Sequence, residues 1–163
     1  MLTIAKLINR KRFISQVAGA GIIAAFFPTL KSFAMNKSPQ GIISRQSRYS
    51  VKETIDRLEN ILKGKGVTIF ARIDQQAEAA RAGLAMDPIE LLIFGNPKAG
   101  TPLMQAMPIC AIDLPLKALG WQDKDRNVWL SYNTADYIQE RFSLPQELAR
   151  NINAGPLIES ALQ

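Results

Sequence analysis

Leu114-Pro-Leu-Lys-Ala-Leu-Gly-Trp-Gln-Asp-Lys-Asp-Arg-Asn-Val-Trp-Leu-Ser-Tyr-Asn133 is the stretch whose reading decides the fold. Val128, Leu130 and Tyr132 alternate with Trp129 and Ser131, and a period of two residues is the mark of a strand with one buried face. Asp123, Lys124, Asp125 and Arg126 form a charged turn. Residues 114–122 and 127–133 are therefore predicted as two antiparallel strands joined at that turn.

Upstream of the hairpin, Glu90-Leu-Leu-Ile-Phe94 is a run expected to form a strand that is central or buried on both faces. Residues 95–100 are predicted as a turn. Thr101-Pro102 then has the form of an N-cap followed by Pro at the first helical position, where a missing N–H costs nothing. The helix expected over 103–113 is interrupted at Pro108. Further upstream the clearest helix spans 51–63. Ser50 and Glu53 make a capping box, Val51, Ile55, Leu58 and Leu62 recur at helical spacing, and Gly64 and Gly66 end it. Residues 67–73 are β-branched and aromatic-rich, hence a strand, and Asp74 is placed to cap a helix over 75–82. A short strand near 41–48 opens the domain, and helices over 134–142 and 145–162 close it. Strands and helices mix without strict βαβ alternation, which predicts an α+β fold: an antiparallel sheet with helices packed on one face.

Residues 1–34 have a different character. Lys6, Arg10, Lys11 and Arg12 make a basic start, residues 17–27 are apolar or Gly, and Ser32-Phe33-Ala34 offers small residues before a cut. This order predicts an export signal peptide with a periplasmic or otherwise exported destination. Asn9-Arg-Lys-Arg-Phe-Ile-Ser15 resembles the twin-arginine motif, although the strict Arg-Arg pair is missing, so the general secretory route stays open beside it. The alternative is an uncleaved anchor, for which eleven apolar residues fall short of the roughly 20 that span a bilayer as a helix. Membrane contact is expected only through this segment, if it is kept. Residues 35–40 read as a flexible lead-in and 41–163 as a single domain.

The full chain carries 20 basic and 14 acidic residues, a net charge of +6. Five of those basics and no acids lie in residues 1–34, so the remainder is nearly balanced. No basic run interleaved with aromatics remains, and nucleic-acid binding is not expected.

Glu90 to Gln105, then Asp113 to Leu119, Trp121, and Val128-Trp-Leu-Ser-Tyr-Asn133 together resemble the bacterial family called domain of unknown function 302. The resemblance covers about residues 45–150. It implies a small α+β fold of the TATA-binding-protein-like type, often found as a homodimer, and it implies no reaction and no catalytic residues. Gly120 stands where relatives often carry a bulkier apolar residue, which is expected to loosen that strand locally.

Candidate chemistry is sparse. Gly95-Asn-Pro-Lys-Ala-Gly-Thr101 has the glycine spacing of a phosphate loop, but Lys98 lies inside the loop rather than after the second Gly, so nucleotide hydrolysis is rejected. A helix start there can still hold a small anion, with Lys98 adding charge and Asn96 and Thr101 adding hydrogen bonds. The plainer alternative is turn chemistry and a cap. Met104, Met107 and Cys110 recur every three residues and offer soft ligands for Cu(I), against the ordinary use of Met and Cys as core fillers and the break at Pro108. With no His, imidazole-based triads and zinc sites are excluded, and a single Cys allows no intramolecular disulfide. Asp74 and Glu78 are a carboxylate pair by spacing, more simply read as a cap and an ion-pair partner of Arg81. Asp113 and Lys117, with Tyr132 and Asn133, are expected to converge across strands as a polar cluster, a structural network or a dimer seam.

The expectation is an exported α+β domain, dimeric, that binds a small anionic or organic ligand or another protein and needs no cofactor. Trp121 and Trp129 are candidates to line a pocket or a subunit contact. An enzyme using Asp, Lys or Tyr on a small organic substrate is the alternative, and a structural envelope protein the third.

Overall fold

The computed structural model describes residues 40–163, so the export signal and most of the lead-in lie outside the described residues. Five strands make one antiparallel sheet: β1 (Ile42–Ser47), β2 (Thr68–Asp74), β3 (Ile89–Gly95), β4 (Leu116–Gln122) and β5 (Val128–Asn133). Their order across the sheet is β1-β5-β4-β3-β2, with every neighbouring pair antiparallel. The expected hairpin is β4–β5, in register from Ala118↔Tyr132 to Gln122↔Val128. Asp123 holds its turn by accepting from the backbone N–H of Asp125 (2.9 Å) and Asn127 (2.8 Å) and from the Trp129 indole (2.8 Å).

Helix α1 (Val51–Gly64) lies across the sheet and buries Val51, Ile55, Leu58 and Leu62. Its start realises half of the capping box, with Ser50 Oγ accepting from the Glu53 N–H at 3.2 Å. Asp74 likewise caps α2 (Gln75–Arg81), accepting from the Ala77 N–H at 2.9 Å, and Glu78 pairs with Arg81. Against α1 pack Leu92 and Phe94 of β3, Ala118 of β4, and Leu130 and Tyr132 of β5, together with Ile158 of α6 (Gly155–Ser160). A second, smaller core gathers Leu103, Cys110, Ile138, Leu144 and Ile152. These come from α3 (Pro97–Ala106), a 3-10 turn over Pro108–Ile112, α4 (Ala135–Phe142), and the segment around α5 (Gln146–Ala149). Leu116 touches both cores. The fold is α+β, as the mixed pattern of elements predicts.

Four expectations change in detail. Helix α3 begins at Pro97, inside the expected turn, because Asn96-Pro97 is itself a cap and first-position pair five residues ahead of Thr101-Pro102. The single helix expected over 145–162 is three short pieces: α5, a 3-10 turn over Arg150–Ile152, and α6. Asn153 Oδ1 accepts the Gly155 N–H at 3.1 Å, and Gly155-Pro156 restarts the chain as α6. Strand β3 is interior, yet Leu91 and Ile93 on its far face are only half-buried. Gly120 packs closely against α1 rather than beside a gap. An added Cβ there would lie 3.0 Å from Ile55 Cγ1 and 3.3 Å from Val51 Cγ1, so the missing side chain is what lets α1 press onto the sheet.

The face of the sheet away from α1 carries Leu91, Ile93, Leu119, Trp121 and Trp129, all partly exposed. The two indoles stack at 6.2 Å between centroids with 25° between planes, and Trp121 Nε1 donates to Ser131 Oγ at 2.8 Å. Lys117 is the charged residue among the β3, β4 and β5 positions on this face, and its ammonium donates to the backbone carbonyls of Asp113 (3.2 Å) and Pro115 (3.0 Å).

Candidate ligand-binding cleft

Two cores that share only one edge leave a gap between them. The gap is a cavity of about 210 Å³ at the end of β3, open to solvent on one side. Leu62, Val67, Phe94 and Leu157 face it from the first core. Ala99, Met104, Leu114 and Ile152 face it from the second. Leu116 and Pro115, the latter following a cis peptide bond, complete the wall.

Local structure explains how these side chains meet. Strand β2 pairs with β3 as Ile69↔Phe94 and then Ala71↔Ile93, so Phe70 is an extra, bulged residue. A bulge re-aims its side chain, and Phe70 stands at the cleft 51% exposed. Asn96, Asn151 and Asn153 supply the polar part of the lining. Asn96 Oδ1 caps α3 by accepting the Lys98 N–H at 3.0 Å, while Asn153 Oδ1 is taken by Gly155. Among the described residues no Asp, Glu, Lys, Arg, Cys or Tyr lines the cavity. It is a cleft built for apolar contact with a few amides, and no acid or base is placed in it to move a proton.

The residues singled out in the sequence are distributed around this cleft rather than gathered in it. Of the anion candidates, Asn96 lines it, whereas Lys98 and Thr101 do not. Thr101 lies within α3 rather than at its start. Asp113 and Lys117 sit beside the Leu114-Pro115 wall. The Asp113 carboxylate accepts from Arg141 Nη1 at 3.0 and 3.3 Å, and Lys117 is bound to carbonyls as described. Tyr132 and Asn133 line a different, more polar depression with Thr134 and Asp136, which neither Asp113 nor Lys117 reaches. The expected four-residue cluster does not assemble, because Tyr132 points to the α1 side, where its hydroxyl donates to Glu159 at 3.4 Å. Burial and the nearby Glu159 charge push that phenol up from its ordinary value.

Met104, Met107 and Cys110 do not share a helical face, since α3 ends at Ala106 and the chain turns at Met107 with φ −146°. Met104 faces the cleft, Met107 is exposed, and Cys110 is fully buried. Burial and, after it, Asp113 push the Cys110 thiol up. Among the described residues no group of three or more Cys, Asp or Glu is placed to hold a metal ion.

Sequence reasoning missed Phe70, Leu62, Leu157 and the two C-terminal asparagines as cleft residues. The local signal in the sequence is Gly95 and Gly100, whose spacing predicts a turn and which line the cavity.

Comparison with known proteins places this geometry. The family described as "Domain of unknown function DUF302" matches residues 43–155. The crystal structure of an uncharacterized conserved DUF302 protein from Bacillus stearothermophilus superposes with a TM-score of 0.63, covering 76% of this chain and 97% of that one at 17% identity, which shows the fold. Two curated proteins are similar over 104 residues at 44% identity, covering 64% of this chain: "Fluoride-specific ion channel FluC 1" of Brucella suis and of Brucella abortus. The match takes in 41% and 38% of their respective lengths, so the chain spans well under half of the relatives it matches.

Proposed function

The chain belongs to the DUF302 family, and from that premise we propose that it is an exported, homodimeric binding module that takes a small organic molecule in the cleft between its two cores. The observation that carries this reading is the lining: a cavity of about 210 Å³ walled by apolar side chains and three amides, with no ionisable group among the described residues. An enzyme working on a small organic substrate would need a carboxylate, lysine or tyrosine in such a pocket, with its pKa shifted for the task. Tyr132 and Cys110, whose pKa values burial pushes up, stand outside the cleft lining. The anion reading has less behind it, since Lys98 is not among the lining residues.

Export is supported by the order of charged, apolar and small residues in 1–34. Dimerisation is supported by the sheet face of Leu91, Ile93, Leu119, Trp121 and Trp129. Lys117, the charge beside them, is already bound to carbonyls. A face with so little charge meets its own copy across a two-fold axis without like-charge repulsion. We propose no ion conduction for this chain. The channel name belongs to longer proteins, and no helix among the described residues is long and apolar enough to cross a membrane.

Native mass spectrometry of protein recovered from an export-competent host, without refolding, tests the whole reading. The expected spectrum is a dimer of chains cut near Ala34, carrying a stoichiometric small-molecule adduct. An empty monomer retaining residues 1–34 would overturn it.

A further inference from the structure

The cleft is kept open by residues that packing does not require to be small. A Cβ on Gly95 would come no closer than 3.6 Å to Phe70 and Pro115, and one on Gly100 no closer than 3.9 Å to Met104 Cε. Both contacts are ordinary van der Waals distances, and neither glycine has a positive φ. Gly120 is the contrast within the same molecule, since an added Cβ there meets Ile55 at 3.0 Å. Gly95 and Gly100, with Ala99 between them in sequence, thus leave space that an added methyl group would enter at ordinary contact distances. Filling such a void would normally be favourable.

Resting on the cleft as the binding site, we infer that its ligand is a neutral, planar molecule of about two fused rings bearing a hydrogen-bond acceptor at one end. Size comes from the volume: an aliphatic cavity of about 150 Å³ accepts benzene, and this one is about 210 Å³. Planarity follows from Phe70, half-exposed at the opening, whose ring offers a stacking surface. Neutrality follows from the absence of any charged side chain among the described lining residues, because an unpaired ion is poorly tolerated in such a site. The acceptor follows from the asparagines. The carboxamide oxygens of Asn96 and Asn153 each already accept a backbone N–H, whereas their NH₂ groups donate to no other group among the described residues.

The test is calorimetry on the exported protein with 2-naphthol, naphthalene-2-sulfonate and 2-naphthylmethylammonium, repeated on Gly100→Leu. We expect 2-naphthol to bind at least tenfold tighter than either charged probe. We also expect Gly100→Leu to lose at least tenfold in naphthol affinity with an unchanged or higher Tm, since Gly gives way to a better helix former. The probe comparison needs no variant, so a folding defect in Gly100→Leu would not rescue the inference. Equal or tighter binding of the sulfonate or the ammonium overturns the neutral-ligand class and leaves the cleft standing. If no probe binds and Gly100→Leu keeps the adduct seen in native mass spectra, both the ligand class and the cleft reading fall.

Discussion

Replacing Arg72 with Ala removes one guanidinium from three carboxylates at once. Arg72 Nε donates to Glu90 Oε2 at 2.7 Å, and Nη1 donates to Asp56 Oδ1 at 2.6 Å and to Glu59 Oε2 at 3.2 Å. The three acceptors are not equally dependent on it. Asp56 keeps Lys52 at 2.8 Å and Glu59 keeps Lys63 at 2.6 Å, each one helical turn away. Glu90 makes no other side-chain ion pair among the described residues and is buried on the α1 side of β3, its side chain 10% exposed. Losing one partner of a buried pair costs about 3–5 kcal/mol, because the other charge is left desolvated. Arg72 is itself a quarter exposed, so water reaches the gap it leaves, and the low end, about 3 kcal/mol, is expected. In a domain of this size that lowers Tm by roughly 10 °C. Urea unfolding followed by the fluorescence of Trp121 and Trp129 measures it as a shift in midpoint at constant slope. Adding Glu90→Gln to Arg72→Ala should return more than half of the loss, since a neutral amide replaces the stranded carboxylate. A single variant costing under about 1 kcal/mol, or a double variant no more stable than the single, would refute the argument that Glu90 desolvation dominates.

Three further outcomes follow from other contacts. Gly120→Val should destabilise by about 2–3 kcal/mol, because its side chain would drive into Ile55 and Val51; thermal unfolding checks this. Asp56, held below its ordinary 3.8 by Lys52 and then Arg72, and Glu59, held below 4.5 by Lys63 and then Arg72, are both depressed in the folded state. Their stabilisation is present above the ordinary carboxylate values and lost as pH falls through the depressed ones, so urea midpoints measured between pH 6 and pH 3 should decline toward acid. The Cys110 thiol, buried and pushed up, should resist alkylation at pH 8 in native buffer and react within minutes in 6 M urea, read as a mass increment on the intact chain.

Much of this fold was legible because its signals are local. Alternation in 128–133 and a charged turn are enough to specify a hairpin, and Ser50 and Asp74 mark helix starts without help from distant residues. Legibility failed where two local signals competed. Asn96-Pro97 and Thr101-Pro102 are the same signal five residues apart, and only the folded backbone, where Asn96 Oδ1 accepts the Lys98 N–H, shows which one starts the helix. The cleft was illegible for a different reason. Leu62, Phe94, Ile152 and Leu157 lie far apart in the chain, and their meeting depends on two cores that touch along Leu116 and separate beyond it. Nothing in the spacing of any one segment encodes that gap. Phe70 reaches it only through a one-residue slip in the β2–β3 register, and its type alone reads as ordinary strand.

The strand order also dictates when the sheet can be finished. β1 is the first of the five strands to leave the ribosome, and among the described residues its only strand partner is β5; Ser44 Oγ meets Ser131 Oγ at 2.7 Å across 87 positions of chain. The β4–β5 hairpin closes early, whereas docking of β1 waits for nearly the whole domain and carries the entropy of a long loop. Until then the outer edge of β5 is an open template with unpaired amides and carbonyls. At high concentration that template is filled as readily by β1 of another molecule, so refolding yield should fall with concentration through strand exchange. A disulfide tying Ser44 to Ser131 would remove that dependence by making the slowest contact permanent.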